Sequence, residues 1–498
     1  MCRFLTFFSF RICDKNDQVW GVLKNIIIKT FMAFPYHVFW HMVALLKSSY
    51  PQRAQRAKEI LEIVKSKSDP KLIEDGLSLA DKLIKLSDEK LSVGEVELSQ
   101  VFPTLPKLIT NRGFSKLMLP TTVNMTVMLP TGSGSLMNYD HNPFPTELVY
   151  LSNIEDTVTV MRSLVQPKKV TFRGSDGHLY SFLCKPKDDL RRDCRLLDFN
   201  NLLNKLFMKD PECRKRNLHI RTYTVFPLNE TNGIIEWVNN LQPFRLILIK
   251  LYRQILGKKM LRAEEIKHRG AALEDDDKDM KNFEFLVEKH PAVFAEWFVR
   301  NFPDPQAWFM ARLAYTRTTA VMSMVGYLLG LGDRHGENIL FDASNGDTVH
   351  VDLNCLFEKG KALKVPEVVP FRLTHNMVQA MGPTGTEGPF KITCEIALGL
   401  MRKQKDVLMS ALRPFYFDPL LDWKGKTSKT ETGEVVNTMA VETLKNIENK
   451  LNGLISFGSK TVNLNMPLSV AGQVQYLIKE ATSHDNLSKM YLGWAPYL

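Results

Sequence analysis

The stretch from Gly330 to Asp352 constrains this chain more than any other, because turn residues, charges and apolar runs alternate there over short distances. The apolar run before it, Thr319–Leu329, is too short to span a bilayer, so we predict a buried helix. Further on, Ile339–Phe341 and Val349–Val351 flank a polar segment that contains Asn345-Gly346. An Asn-Gly pair between two apolar runs predicts a tight hairpin.

The spacing of three polar residues in this stretch points to phosphoryl transfer. Asn338 follows Asp333 by five positions, and Asp352 comes just after the predicted hairpin. In protein kinases a catalytic Asp is followed five residues later by a metal-binding Asn, and a second metal-binding Asp lies further along the chain. A solvated loop with a fortuitous Asn and Asp is the alternative. The two spacings together with the hairpin favour the catalytic interpretation.

The order Asp333-Arg334-His335 reverses the usual His-Arg-Asp of protein kinases. In this order, GLGDRHGENIL followed by HVDLN closely resembles the phosphatidylinositol-3-kinase superfamily, and within it the PI3-kinase-related protein kinases (PIKKs). The resemblance implies an α+β, bilobal PI3K/PIKK-type kinase fold, with a β-rich N-lobe and a helical C-lobe. It also implies an N-terminal α-solenoid remnant and C-terminal FATC helices.

Composition sets broad limits. A hydrophobic fraction of 44% and a charged fraction of 24% are typical of a globular protein, and the net charge of +11 permits nucleic acid, acidic protein or membrane as partners without choosing among them. The seven cysteines are odd in number and contain no CxxC motif, which predicts a reducing compartment and argues against a structural zinc site. We find no credible membrane span and place the chain in the cytosol or nucleus.

Apolar and β-branched patterns predict helices over the first 90 or so residues, mostly short strands from Glu147 to about Val238, and mostly helices from Leu246 onwards. A plain helical bundle is the alternative to a solenoid for the first part. Combined with the resemblance, these patterns predict five segments: residues 1–120 as the helical end of a FAT domain, 121–238 as the kinase N-lobe, 239–423 as the C-lobe with catalytic and activation loops, 424–465 as a regulatory linker, and 466–498 as FATC.

Lys185 ends an apolar strand pattern, YSFLCK, and precedes DDLRRD. A lysine leaving a strand can reach nucleotide phosphates, and a nearby carboxylate can hold it there. A surface lysine at a strand end is the alternative. Beside the family's DLRxD element, the resemblance assigns phosphate binding to Lys185 and makes Asp188 and Asp193 its carboxylate neighbours. It also implies that Ser163 lies in the turn that covers the phosphates.

The strand GIIEWV resembles the segment that presents backbone groups to adenine. The resemblance implies that Glu236 and Val238 supply those contacts and that Trp237 stacks on the base, although a lone Trp is usually a core residue. It gives the remaining walls of the ATP pocket to a further set, Tyr223, Ile235, Leu340 and Val351.

The resemblance also gives each polar residue of the opening stretch a role. Asp333 would orient the substrate hydroxyl and accept its proton, and His335 would contact the γ-phosphate. Asn338 and Asp352 would hold Mg²⁺, with Mn²⁺ as an alternative, while Lys185 neutralises the phosphates of ATP.

The segment before Val369-Pro-Phe separates lipid from protein kinases, because PI3-kinases carry a basic cluster there. This chain has Pro366 and Glu367, a poor match to a polyphosphate headgroup. The nearby lysines keep a phosphoinositide kinase as the second hypothesis: Lys359, Lys361 and Lys364. A catalytically dead scaffold is the third, although no key polar group is lost.

Two features are similar to ATR-type checkpoint kinases, namely CKPKDDLR and a metal-site Asp followed by Leu353-Asn354. That resemblance implies protein substrates with Ser or Thr followed by Gln, a role in DNA-damage and replication-stress signalling, and a nuclear location. It implies a regulatory subunit of the ATRIP type, an activator protein, and DNA association that is indirect or runs through a missing N-terminal region. The aromatic end Met490–Leu498 resembles FATC, and we expect it to dock on the kinase lobe.

Overall fold

The computed structural model describes residues 11–13, 16–128, 141–257, 265–266, 277–413, 427–429, 435–455 and 466–498. The chain divides into two compact units, residues 1–199 with 222–238 and residues 200–221 with 239–498. Of the predicted linker at 424–465, residues 424–426, 430–434 and 456–465 lie outside the described residues. The boundaries of the five predicted segments stay predictions.

The first unit begins with helices, as the apolar periodicity predicts. Pro35, Pro51 and Pro70 each stand at the start of a helix, where a missing N–H is tolerated. The helices are α1 (Asp17–Ala33), α2 (Pro35–Leu46), α3 (Pro51–Lys65), α4 (Pro70–Asp88), α5 (Leu98–Val101), α6 (Thr104–Ile109) and α7 (Thr122–Met125), after a 3₁₀ turn at Arg11–Cys13.

Helix α7 forms although it begins with the β-branched residues Thr122 and Val123. The Thr121 hydroxyl accepts a hydrogen bond from the Asn124 N–H, which caps a helical turn. Local capping therefore outweighs β propensity here.

An antiparallel sheet of seven strands makes up the rest of this unit, in the order β1-β3-β4-β5-β7-β6 with β2 beside β4. The strands are β1 (Gly94–Glu97), β2 (Leu151–Ile154), β3 (Thr157–Val160), β4 (Lys168–Gly174), β5 (Leu179–Pro186), β6 (Val225–Pro227) and β7 (Asn232–Glu236). Strands β4 and β5 lie in the region from Glu147 to about Val238 where short strands are predicted. The turn between them has Gly177 at a φ of 81°, which favours glycine.

The helices and the sheet of this unit share one apolar core, which runs from Ile27 and Phe39 to Phe182 and Ile234. Two polar contacts fix helix α4 on the sheet. The buried Lys168 ammonium donates to the Ser87 carbonyl at 2.6 Å, and the Asn232 amide donates to the Ser87 hydroxyl at 2.6 Å. A cation at the carboxyl end of a helix is favourable because that end carries partial negative charge.

The second unit is mainly helical. Its helices are α9 (Pro211–Lys215), α10 (Phe244–Leu256), α11 (Lys278–Lys289), α12 (Ala295–Asn301), α13 (Pro305–Leu329), α14 (His375–Ala380), α15 (Pro389–Lys403), α16 (Lys405–Leu412), α17 (Thr438–Leu451), α18 (Val470–Thr482) and α19 (His484–Ser488). Helix α8 (Arg191–Lys209) belongs to the first unit up to residue 199 and to the second from residue 200. Two 3₁₀ turns complete the helical elements, at Lys359–Ala362 and Leu492–Trp494.

Two small sheets complete this unit. Strands β8 (Leu241–Pro243), β9 (Ile339–Asp342) and β10 (Thr348–His350) form the order β10-β9-β8, and β11 (Thr427–Lys429) pairs with β12 (Val435–Asn437). The antiparallel pairing of β9 with β10 confirms the predicted hairpin. Gly346 in its turn has a φ of 84°.

Helix α13 confirms the buried helix predicted before the opening stretch. Every residue from Thr318 to Leu329 on it is buried, so this half of the helix is surrounded by other elements. None of the helices that the structure describes is both long enough and apolar enough to cross a membrane.

Candidate functional site

The candidate site in the second unit begins where α13 ends. Gly330 adopts the left-handed conformation with a φ of 61°, which glycine reaches without steric penalty, and the chain turns away from the helix there. The Gly332 N–H then donates to the Cys355 carbonyl at 2.8 Å. The loop that carries Asp333 is thus anchored to the segment that follows Asp352.

Asp333 and Asn338 are brought together as their spacing predicts. The Asn338 amide nitrogen donates to the Asp333 backbone carbonyl at 2.9 Å and lies 3.5 Å from its carboxylate Oδ2. Asn338 is buried, whereas the Asp333 side chain is 49% exposed. An internal amide therefore supports a carboxylate that is open to a substrate.

His335 lies beside this carboxylate. Its Nδ1 accepts a hydrogen bond from the Glu337 N–H at 3.2 Å, so in the neutral ring the proton is on Nε2. Nε2 lies 4.0 Å from the Asp333 Oδ2. The ring thus presents an N–H donor next to the Asp333 carboxylate.

Arg334, between these two residues, has a structural role that the motif alone did not reveal. It is buried, and its guanidinium donates to the carbonyls of Gly332 at 2.9 Å and Val351 at 2.8 Å, and also to the Asp352 carbonyl. Hydrogen bonds from a charged donor are stronger than neutral ones. Arg334 therefore ties the loop of Asp333 to the exit of the hairpin.

Asp352 follows that exit in a left-handed conformation with a φ of 52°, and Asp333 has a φ of 59°. Non-glycine residues in this region carry strain that is common at functional sites. The Asp352 Oδ1 accepts a hydrogen bond from the Asn354 amide at 3.1 Å. Asn354 stands where the common Asp-Phe-Gly motif of protein kinases has glycine. Its amide thus orients the Asp352 carboxylate.

The donor set fits a hard cation. Because the Asn338 amide nitrogen is bonded to Asp333, its oxygen is the atom available to a metal, and Asp352 supplies a carboxylate. No group of three or more His, Cys, Asp or Glu side chains suited to a metal occurs among the described residues. A Mg²⁺ ion at one or two protein ligands takes its other ligands from substrate phosphates and water.

Leu340 and Val351, the predicted pocket walls of this unit, are both partly buried. Leu340 lies on β9 opposite Val349, and the Val351 N–H donates to the Asn338 carbonyl at 3.1 Å. Both side chains therefore belong to the same hairpin that carries the metal-site candidates.

In the first unit, the predicted phosphate lysine has the expected partner. The Lys185 ammonium lies 2.5 Å from the Asp188 Oδ2, and both side chains are about four-fifths buried. Asp193 is buried near the start of α8. The pairing with Asp188 is confirmed, and that with Asp193 stays a prediction.

Ser163 lies in the turn between β3 and β4. Its backbone N–H donates to the Met161 carbonyl at 3.1 Å, and its hydroxyl accepts from the Gln166 N–H at 3.2 Å. Because β4 pairs with β5, this turn belongs to the same sheet as Lys185. Its predicted contact with phosphates stays a prediction.

The hinge candidates Ile235 and Glu236 end strand β7, which pairs with β5, and Trp237 and Val238 follow it. Glu236 has an inward structural role, since its carboxylate accepts hydrogen bonds from the N–H groups of Thr122 and Thr224 at 3.0 Å. Trp237 packs against the Lys169 ammonium, which lies 4.8 Å from its ring centre. In the remaining hinge set, Tyr223 is buried, whereas Ile235 and Val238 are partly buried. Adenine contacts by these residues stay predictions.

Glu367, one of the two residues that match a polyphosphate headgroup poorly, faces the loop that carries Asp333. Its carboxylate Oε1 accepts a hydrogen bond from the Asp333 N–H at 2.8 Å, and burial, as well as the charge of Asp333, raises its pKa. Because the Glu367 carboxylate faces inward, it gives little evidence against binding of a lipid headgroup. Of the lysines that favour a lipid substrate, Lys361 pairs with Glu358 at 3.1 Å.

The C-terminal tail docks on the helical unit, as predicted. The buried Arg372 donates to the carbonyls of Trp494 at 2.7 Å and Ala495 at 2.8 Å, and its guanidinium lies 4.3 Å from the Trp494 ring centre. Burial lowers the Arg372 pKa to about 9. The sequence did not predict this contact. Arg372 lies in the motif FRLTHNM, but nothing in that motif indicates that its partner is Trp494, 122 residues further along the chain.

A second contact missed by sequence reasoning joins α17 to the segment after Asp352. The buried Lys450 ammonium lies 2.9 Å from the Glu358 carboxylate and donates to the Tyr327 carbonyl at 2.8 Å. On α18, the Gln473 amide donates to the Lys450 carbonyl at 2.9 Å. Lys450 has no local sequence signal, since its partners lie far along the chain.

Three known families match parts of this sequence. The family described as phosphatidylinositol 3- and 4-kinase matches residues 179–425, the FATC domain matches residues 467–498, and the HEAT repeats of serine/threonine-protein kinase ATR-like proteins match residues 3–80. The match at the N-terminus is to HEAT-type repeats, in agreement with the predicted solenoid remnant. The α+β class with a FATC end is confirmed.

Relatives and solved structures agree with these matches. Protein kinase rad3 of Schizosaccharomyces pombe is 44% identical over 98% of this chain, and serine/threonine-protein kinase ATR of Drosophila melanogaster is 41% identical over 98%. This chain spans 20% and 19% of their respective lengths. The structure of the FAT and kinase domain of CtTel1 covers all of this chain with a TM-score of 0.82 at 28% identity, and this chain covers 34% of it. The chain therefore belongs to the PI3-kinase-related protein kinase (PIKK) family, as the sequence predicted.

Proposed function

We propose that this chain transfers the γ-phosphoryl group of ATP to serine or threonine hydroxyls of proteins. The observation that carries the proposal is the Asp333 carboxylate, which is half exposed while Asn338 and Arg334 hold its loop from inside. Family membership and the names of the relatives, which are serine/threonine-protein kinases, support the same reaction.

The residues divide the reaction between them. Asp333 orients the attacking hydroxyl and accepts its proton, and the His335 Nε2–H stabilises negative charge on the γ-phosphate. Asn338 and Asp352 would hold Mg²⁺, or Mn²⁺ in its place, which when bound supplies neutralising charge between the phosphates. Lys185, which is paired with Asp188, would neutralise negative charge on the phosphates.

The finer assignment follows the relatives. We propose substrates with Ser or Thr followed by Gln, a nuclear role in DNA-damage and replication-stress checkpoints, and a regulatory subunit of the ATRIP type with an activator protein. We expect DNA association to be indirect or to run through sequence beyond this chain. The support is the identity to rad3 and ATR proteins together with the CKPKDDLR and Asp352-Leu353-Asn354 strings.

The test is phosphorylation of a Ser-Gln peptide with Mg²⁺-ATP. The wild type and the variants Asp352→Ala and Asp406→Ala are compared, and a Ser-Ala peptide tests the preference for Gln. Asp406 is an exposed carboxylate on α16, so it is a matched control. We expect activity in the wild type and the control and its loss in Asp352→Ala. Equal activity in all three proteins would refute the site assignment.

A lipid substrate is the second candidate, because the matching family is described as phosphatidylinositol 3- and 4-kinase. The exposed Lys364 and the neighbouring Lys359 are the residues that would meet a headgroup. Thin-layer chromatography of phosphoinositide products, run beside the peptide assay, separates the two substrates. A dead scaffold predicts no ATP turnover on either.

A further inference from the structure

Glu367 lies 34 residues beyond Asp333, and its carboxylate faces the loop that carries Asp333. Its Oε1 accepts the Asp333 N–H at 2.8 Å. Its Oε2 lies against two glycines, because a Cβ built at either Gly332 or Gly360 would overlap this oxygen. The carboxylate therefore occupies a space that exists only because both positions lack side chains.

The hydrogen bond matters because of the backbone conformation of Asp333. With a φ of 59°, Asp333 is in the left-handed region, which is sterically unfavourable for a residue with a side chain. Both of its backbone polar groups are held. The N–H donates to Glu367, and the carbonyl accepts from the Asn338 amide at 2.9 Å. Together these bonds fix the direction in which the Asp333 side chain leaves the backbone.

Glu367 is itself fixed by its own segment. Its backbone N–H donates to the Gly360 carbonyl at 3.0 Å, and the next residue, Val368, donates its N–H to the Met490 sulfur at 3.4 Å. The segment after Asp352 contacts the C-terminal tail through Val368. The same segment contacts the backbone of Asp333, the candidate base, through the Glu367 carboxylate.

We propose that Glu367 is a positioning residue for the reaction, which sets the orientation of Asp333 through its backbone N–H. The inference rests on the proposed kinase function, in which Asp333 receives the substrate proton. Glu367 does not touch the substrate in this scheme. A displacement of about 1 Å at a reacting group costs on the order of 100-fold in rate, so the hydrogen bond affects turnover more than nucleotide binding.

Three variants test this role. Glu367→Leu keeps the approximate size of the side chain and removes the acceptor, Glu367→Gln keeps an acceptor oxygen, and Glu387→Leu makes the same change at an exposed carboxylate of the same unit. With the Ser-Gln peptide and Mg²⁺-ATP, we expect kcat of Glu367→Leu to fall roughly 100-fold. We expect KM for ATP to stay within about twofold, because its contacts are untouched.

The conservative change gives the decisive comparison. We expect Glu367→Gln to retain kcat within about fivefold and Glu387→Leu to match the wild type, because in both the Asp333 N–H keeps its acceptor. Wild-type kcat in Glu367→Leu would overturn the proposal, and so would equal losses in Glu367→Gln and Glu367→Leu. If Glu367→Leu does not fold, Glu367→Asp replaces it, with an intermediate loss of kcat and unchanged KM for ATP.

Hydrogen exchange separates this proposal from the proposed function. If the wild type shows no turnover on peptide or lipid, the proposed function fails, yet amide exchange in residues 331–338 still reports on the hydrogen bond. We expect faster exchange of the Asp333 amide in Glu367→Leu and not in Glu367→Gln. Unchanged exchange in Glu367→Leu would overturn the positioning role whatever the activity.

Discussion

Replacement of Arg372 by Met is expected to release the C-terminal tail from the helical unit. Met keeps an unbranched apolar stem but cannot donate a hydrogen bond. The carbonyls of Trp494 and Ala495 would then be buried without their donor, and the contact between the guanidinium and the Trp494 ring would be lost. The change therefore acts on tail docking directly.

The magnitude follows from these contacts. Each carbonyl left unpaired costs about 1–3 kcal/mol, and the lost ring contact costs about 1–2 kcal/mol more. The variant no longer buries the charge of Arg372, and the desolvation cost that this avoids offsets part of the loss. We expect a net loss of about 3 kcal/mol in docking free energy, which corresponds to roughly 100-fold in the docking equilibrium.

The assay is amide hydrogen exchange read by mass spectrometry over residues 490–498. Three amides are protected by hydrogen bonds within the docked tail, those of Trp494, Ala495 and Leu498. We expect their exchange to accelerate roughly 100-fold in Arg372→Met, provided that exchange follows the docking equilibrium. Arg300→Met is the control, because Arg300 is exposed on α12. Wild-type exchange in Arg372→Met, or equal acceleration in the control, would refute the reasoning.

Three further predictions concern the same unit. Lys450→Met leaves the Tyr327 carbonyl without its donor and Glu358 with Lys361 as its described ion-pair partner, so it should lower the free energy of unfolding by about 3 kcal/mol in urea denaturation; an unchanged free energy would contradict this. Gly330→Ala places a Cβ 2.5 Å from the Glu358 nitrogen at a φ of 61°, so its thermal unfolding temperature should fall well below that of the control Gly21→Ala, where nothing is within 4 Å. The hydrogen bond to Asp347 raises the His219 pKa, so the stabilisation from this pair is full below the unfolded pKa of about 6.5 and is lost as pH rises through the folded pKa. His219→Gln should therefore lower the free energy of unfolding more at pH 6 than at pH 9. An equal loss at both pH values would contradict this.

The sequence predicted those parts of the site whose partners are close along the chain. Asp333 with Asn338 and Lys185 with Asp188 are five and three residues apart, so their motifs contain the contact itself. The hairpin was readable for the same reason, since Asn345-Gly346 specifies a turn between its own neighbours.

The remaining contacts could not be predicted from the sequence, because they join segments that are far apart along the chain. Glu367 meets Asp333 across 34 residues, and Arg372 meets Trp494 across 122. Both are charged residues in short motifs, and a charge in a sequence predicts exposure unless its partner is known. Only the fold shows that these charges are turned inward and that backbone groups receive them.

In the proposed kinase reaction, Arg334 has a consequence for the energetics of nucleotide binding. The acceptors described for its guanidinium are backbone carbonyls, which neither titrate nor change charge when a metal ion or phosphate arrives. The loop that carries Asp333 should therefore keep one shape in the empty and loaded states. Binding energy from ATP then need not be spent on ordering this loop, and remains available for orienting the phosphates and the substrate hydroxyl.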